Sequence, residues 1–291
     1  MKESVRMSKV AIVTDSTACL PKELAKAHGI RIVPMSIIYK DRVYQDEVDI
    51  TPSEVYRFLE NGNSLPTTSA PSPGAYVEAF RELTQRAESI LCITLSQTLS
   101  TVFQSAMQAK EMARETLPHT TIAVIDSHSA AGAQGLITLA AARAAAAGAG
   151  LEEVIGVTEK MTTQVYLLGV MDTLLYLARG GRIPKAAAWV GGMLKFKPIF
   201  TLSNGKPSLL TAARTRSRGV ERMLEIMRQK TETKKLLQAI VMHTNIPAEA
   251  EKLKARIAAS FDGAEIFVKD FSPVMGIHTG PGLLGIAFYA D

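Results

Sequence analysis

Cysteine is almost missing from this chain: among 291 residues there are only Cys19 and Cys92. Two cysteines exclude a disulfide framework, and their separation fits no metal-binding spacing. Cys92 lies inside the apolar run ILCI (90–93) and reads as a small buried residue. Long hydrophobic runs are missing too. The blandest segment, AAGAQGLITLAAARAAAAGAG, is interrupted by Gln134, Arg143 and glycines, which excludes it as a membrane span. The opening residues MKESVRMS lack the apolar segment of a signal peptide. The net charge of +5 is spread without a Lys/Arg tract that would demand nucleic acid. These absences predict a cytoplasmic, reduced protein with no nucleic-acid partner and at most transient membrane contact.

Several catalytic and cofactor signatures are also absent. No G-x-x-x-x-G-K-[ST] phosphate loop occurs. The stretch GPGLLG (280–285) spells G-x-G-x-x-G, but a dinucleotide site needs a helix after it and an acid about twenty residues on, and the chain ends six residues later. No G-x-S-x-G nucleophile elbow is present, although Ser100, His278 and Asp126 supply the residue types of a hydrolytic triad. No resident cofactor and no metal are expected.

What is present is a regular alternation. Short apolar runs at 9–13, 89–94 and 121–125 alternate with helical patterns at 21–28, 101–116 and 132–147, which predicts a doubly wound parallel sheet. Residues 30–39 and 43–44 flank Lys40-Asp41 and read as a hairpin. Thr51-Pro52-Ser53-Glu54 and Ser72-Pro73 are helix starts, each a hydroxyl cap followed by proline. The second half changes texture. Strands are expected at 166–171, 198–202 and 208–212, the last two joined by the turn Asn204-Gly205. A helix at 217–229, strand 236–243, helix 247–260, strand 264–271 and strand 284–289 follow. Hairpins mixed with helices predict a second α/β domain with a partly antiparallel sheet. The division expected is an N-terminal domain at 1–163 and a C-terminal domain at 164–291.

Ligands of doubly wound sheets gather beyond the carboxyl ends of the strands. Three of those ends carry polar clusters: Thr14-Asp15-Ser16-Thr17, the stretch 94–101, and Asp126-Ser127-His128-Ser129. Each cluster also suits the plain task of capping the next helix. A further cluster, Thr67-Thr68-Ser69, is held extended between Pro66, Pro71 and Pro73 and suits a small anion. His278 sits in a glycine-rich stretch expected to be a loop. Arg179-Gly180-Gly181-Arg182 and the run from Arg214 to Arg218 are basic knots that read as solvated loops or helix starts.

Six of these motifs, in this order, resemble the DegV family of bacterial fatty-acid-binding proteins: TDSTACLP, PTTSAPSP, LSQTLSTVFQSA, DSHSAAGAQG, LARGGRIP and HTGPGLLG. The family pattern Leu-Ser-Gly-Thr is here Leu99-Ser100-Thr101-Val102, which keeps the serine and replaces the glycine. The resemblance implies a fatty acid in a buried tunnel between the two domains. It also implies that Thr68 and Ser100 hold the carboxylate and that His278 joins their network. By the same resemblance a separate fatty acid kinase would phosphorylate the bound acid for phospholipid synthesis, with Arg214 in the docking face and no catalysis by the carrier itself.

The residues suit that ligand. A buried carboxylate is costly unless charge-assisted hydrogen bonds reach it. Ser100 and Thr101 lie where a helix begins, so free N–H groups and the positive dipole end add to the hydroxyls. Met35, Met171, Met193, Phe196, Ile199 and Phe200 are candidates for the tunnel wall. The competing expectation is a serine-dependent esterase or acyltransferase using Ser100 and His278.

Overall fold

The computed structural model describes residues 8–60, 65–183 and 196–291. The first sheet is built from β1 (Ser8–Asp15), β2 (Arg31–Val33), β6 (Ala87–Thr94) and β7 (Thr121–Asp126). All neighbours are parallel, in the order β2-β1-β6-β7. Val10, Ile12, Ile90, Leu91 and Ile93 are buried because helices cover both faces, as the continuous apolar runs require.

A separate three-stranded antiparallel sheet, β4-β3-β5, is formed by β3 (Ser36–Tyr39), β4 (Arg42–Gln45) and β5 (Thr67–Ser69). The strand expected over 30–39 is thus two strands in different sheets. The break falls at Pro34, which cannot donate to a ladder. Thr67-Thr68-Ser69, expected as a rigid loop, is strand β5, and Thr68 pairs with Ile37.

The helices of this half are α1 (Lys22–Ala27), α2 (Pro52–Glu60), α3 (Pro73–Thr84), α4 (Val102–Thr116), α5 (Ala131–Ala146) and α6 (Leu151–Gln164). α6 falls where sequence periodicity suggested only a boundary. Ser72 caps α3 by accepting from the Ala75 N–H, as its Ser-Pro start predicts.

The second sheet contains β8 (Val165–Val170), β9 (Lys197–Ser203), β10 (Lys206–Ala213), β11 (Leu236–His243), β12 (Glu265–Asp270) and β13 (Leu284–Ala290). Its order is β10-β9-β8-β13-β11-β12, antiparallel except for β11 with β12. α7 (Leu175–Arg179), α8 (Arg216–Lys230), α9 (Pro247–Ser260) and α10 (Pro273–Thr279) complete the described elements. α8 and α9 cover one face of this sheet through Leu224, Met227, Leu253 and Ile257.

The opposite face meets α5, which also packs on β1. A helix enclosed on all sides must be apolar all round, and that is why its sequence is bland. Its small residues let the two sheets approach. A Cβ on Gly132 would fall 2.9 Å from Met242 Sδ, and one on Gly135 2.5 Å from the Ala18 carbonyl. Among the described residues no helix is long and apolar enough to cross a membrane.

Two short helices differ from expectation. The stretch around Arg179, expected as a glycine-rich turn, begins as α7 and turns only at Gly180-Gly181. His278, expected in a loop, occupies the last turn of α10. Ser272 caps that helix by accepting from the Met275 N–H, with Pro273 at its first position. Asp46 adds a second tie, accepting from the Val274 N–H at 3.0 Å.

Candidate functional site

The strand order sets β1, β6 and β7 side by side, so their three polar carboxyl ends form one cluster. Its acids serve as struts for the hydroxyl loop 95–101. Asp15 accepts from the Leu95 N–H at 2.8 Å and from Gln134 Nε2 at 3.0 Å, while also bonding Thr17. The Ser96 N–H donates to the Ser129 carbonyl at 2.9 Å, and the Gln97 N–H to Asp126 at 3.3 Å. Thr98 Oγ1 donates to the Gly205 carbonyl at 2.6 Å, tying the loop to the turn of the β9–β10 hairpin. Four successive residues are thus anchored to three other segments: Asp15, the stretch 126–129 and the turn at Gly205. Burial pushes the carboxyl of Asp15 above its ordinary pKa, against the opposing pull of its hydrogen bonds.

The anchored loop delivers Ser100 to the rim of an apolar cavity of about 920 Å³, counting its open mouth. Thr68 of β5, Arg182 after α7 and His278 of α10 reach the same rim. Thr68, Ser100 and Arg182 also line a shallow polar groove outside it, together with Thr101 and Gln104. These three side chains therefore form a neck between a wet exterior and a dry interior. Thr101 is exposed, lies only in the outer groove, and caps α4 with no side-chain hydrogen bond. Its backbone, at φ −86° and ψ 15°, is one that any residue adopts, so the glycine of the family pattern is not needed there.

Thr68 Oγ1 and His278 Nε2 are 2.8 Å apart. Burial, with a smaller contribution from the Arg182 charge, holds the His278 pKa down at about 4, so the ring is neutral near pH 7. If the Thr68 hydroxyl is to donate to a ligand, it must accept from His278, which fixes the ring proton on Nε2. Nδ1 is then a bare acceptor, and it is buried with no hydrogen-bond partner among the described residues. It faces Gly180, where a Cβ would fall 2.8 Å away. Among the described residues no acid stands behind His278, and Asp126 is committed to Gln97 and His128. The triad of Ser100, His278 and Asp126 is not assembled.

Of the wall candidates, Met35, Met171 and Phe200 line the cavity. Ile199 faces the other side of the sheet, Phe196 is 38% exposed, and Met193 lies outside the described residues. Arg214 is exposed, in a surface groove with Arg218 and Glu221, and does not touch the cavity. Arg182 is the residue that sequence reasoning missed: a basic knot rich in glycine looks like a solvated loop. Its half-buried guanidinium is also bonded to the Gly180 carbonyl. Among the described residues no group of three His, Cys, Asp or Glu side chains is arranged to hold a metal.

This architecture has close counterparts. A DegV domain-containing protein of Halalkalibacterium halodurans is 33% identical over 98% of this chain and 100% of its own length. A fatty-acid-binding DegV family protein from Thermus thermophilus superposes with a TM-score of 0.89 at 32% identity, covering 97% of this chain and 100% of that one. A stearic-acid-binding protein from Eubacterium ventriosum superposes with a TM-score of 0.87 at 27% identity, covering 97% and 98%. The DegV sequence model itself matches residues 9–291. With the fold and the sequence in agreement over nearly the whole length, the chain belongs to the DegV family.

Proposed function

We propose that the protein binds a long-chain fatty acid, with its carboxylate at the neck and its alkyl chain in the cavity, and presents the head group to a separate fatty acid kinase. The observation that carries the reading is the neck itself. Two hydroxyls, Thr68 and Ser100, stand at the mouth of a predominantly apolar enclosure. Ser100 makes no protein hydrogen bond among the described residues, so its proton is available to a ligand. Charge-assisted bonds from both hydroxyls offset the desolvation of a carboxylate. Arg182 adds a positive charge at the same place. Each buried methylene contributes up to about 0.8 kcal/mol, so a long chain gains roughly 10 kcal/mol before ordering costs. The fatty acids bound by the Thermus and Eubacterium relatives support the same ligand class here.

In this reading the protein is a carrier, and the chemistry belongs to the partner. Residues 1–163 and 164–291 act as two units with the ligand at their junction, in the cytoplasm. The exposed Arg214, at the foot of β10, suits a carboxylate or phosphate on the kinase because its planar fork binds in two places. Native mass spectrometry of freshly purified protein, followed by solvent extraction, tests the carrier. A co-purified free fatty acid is the expected result. A covalent acyl adduct on Ser100 would instead show an esterase or acyltransferase.

A further inference from the structure

One row of the second sheet crosses the whole floor of the cavity. Phe200 of β9 lies opposite Gly169 of β8, Gly169 opposite Gly285 of β13, and Gly285 opposite Met242 of β11. Directly opposed residues of antiparallel strands point to the same face. All four line the cavity. Two adjacent strands thus offer no side chain at the row's centre, leaving a trough walled by Phe200 at one end and Met242 at the other.

The trough has a direction. The β9–β10 turn is bonded to the loop carrying Ser100, so Phe200 marks the end nearer the neck. Met242 stands three strands away. It is fully buried, and its sulfur lies 3.0 Å from the Gly132 N–H at the start of α5. The next strand, β12, contributes nothing to the cavity wall. Three strand spacings make about 14 Å. Met242 Cε lies 3.4 Å from where a Cβ on Gly285 would stand, so the open stretch is about two of these spacings, about 10 Å. An extended alkyl chain, built on bonds of about 1.5 Å, advances about 1.25 Å per carbon, so this stretch accommodates about eight carbons.

We propose that Met242 is the length stop of the tunnel and that Gly169 and Gly285 form the trough that lets the alkyl chain reach it. This rests on the fatty-acid reading above and deepens it: the favoured ligand is an unbranched acid whose terminal methyl meets the Met242 thioether. A branched or ring-bearing tail finds no width over the glycine pair. Methionine has three rotatable bonds, so the stop yields and the preference is graded rather than absolute.

The test is competition binding of a series of saturated acids, from dodecanoic to eicosanoic, to the delipidated full-length chain. Met242→Ala should move the optimum to longer acids, by roughly fourfold in relative affinity for each methylene that gains room. Gly169→Ala guards against misfolding of that variant, because its added methyl would meet no protein atom closer than 3.9 Å. It should weaken the longer acids by roughly tenfold relative to the shorter ones, the equivalent of one to two displaced methylenes. A wild type that binds while both variants keep its length profile overturns the length stop and leaves the carrier standing. A wild type that binds no acid of any length overturns the carrier reading and the stop with it.

Discussion

The neck and the floor of the cavity are built on opposite plans. At the neck, three separate segments each contribute one polar side chain, Thr68, Ser100 and Arg182, and a fourth places His278 behind Thr68. None of them belongs to the hydrophobic core, and the loop that carries Ser100 is positioned by bonds from its own backbone. The floor is a single sheet whose buried side chains are placed by strand parity, and Met242, Ile240 and Ala287 belong to the main core. Recognition of the head group is therefore separable from stability, whereas the shape of the tunnel is not.

The largest effect should come from the floor. Ile240 is fully buried against α5, and Ile240→Ala should remove about 2–5 kcal/mol of unfolding free energy, read by urea titration. If stability holds and only ligand affinity falls, the floor is not core and the contrast fails. At the neck the outcome should reverse. Ser100→Ala and Thr68→Ala should each cost about 1.5–3 kcal/mol of fatty-acid affinity, with the urea midpoint of the ligand-free protein nearly unmoved. A double variant that binds like wild type would remove the hydroxyls from the head-group site.

A subtler effect separates the two ends of α10. His278, at its C-terminal end, has a folded pKa of about 4 against an ordinary 6.5. Between those values only the unfolded chain takes the proton. Its contribution is full above pH 6.5 and is lost as pH falls toward 4. Asp46, at the N-terminal end, is pushed up to about 7 from 3.8 by burial. There the folded chain alone keeps the proton, so its contribution is full below pH 3.8 and is lost as pH rises through 7. The slopes oppose each other between pH 4 and 6.5, each at most about 1.4 kcal/mol per pH unit. In ligand-free protein His278→Gln should therefore leave stability rising more as pH falls, and Asp46→Asn should leave it falling more. Equal slopes in wild type and both variants would show that neither group titrates as its burial requires.

The smallest effect is expected at Arg214. Arg214→Ala should leave fatty-acid affinity within error of wild type while lowering turnover by a cognate kinase supplied with ATP. The wild-type rate should fall with added salt, since rim charges act mainly on encounter. Loss of lipid binding would move Arg214 into the cavity.

Much of this contrast was legible in the chain, unevenly. The parallel strands announced themselves as apolar runs, and Asn204-Gly205 marked its hairpin. The hydroxyls at 68 and 100 stood out because three prolines and a helix start framed them. The cap that makes α10 a helix, Ser272-Pro273, repeats the Ser72-Pro73 signal, but the glycines after it drew attention to a loop. The floor was hidden for a different reason. Ile199 and Phe200 are neighbours of similar character, and only the pleat sends one to the α8 side and the other into the cavity. Gly169 and Gly285 gain meaning only when the register sets them opposite each other. Arg182 required knowing that α7 folds back on α10.

The bond between Thr98 and Gly205 joins a loop of one half of the chain to a surface hairpin of the other. The fit there is close: at Gly205, with φ at +76°, a Cβ would fall 2.2 Å from Ser96 Oγ. Loop and turn should therefore open and close as one cooperative unit. On the proposed reading, ordering Ser100 around a carboxylate should slow amide exchange in strands β9 and β10. Arg214 follows directly after β10, so a loaded tunnel should stiffen the base of the segment that bears it. A partner docking at Arg214, as proposed above, should thus bind loaded and empty protein with different affinity.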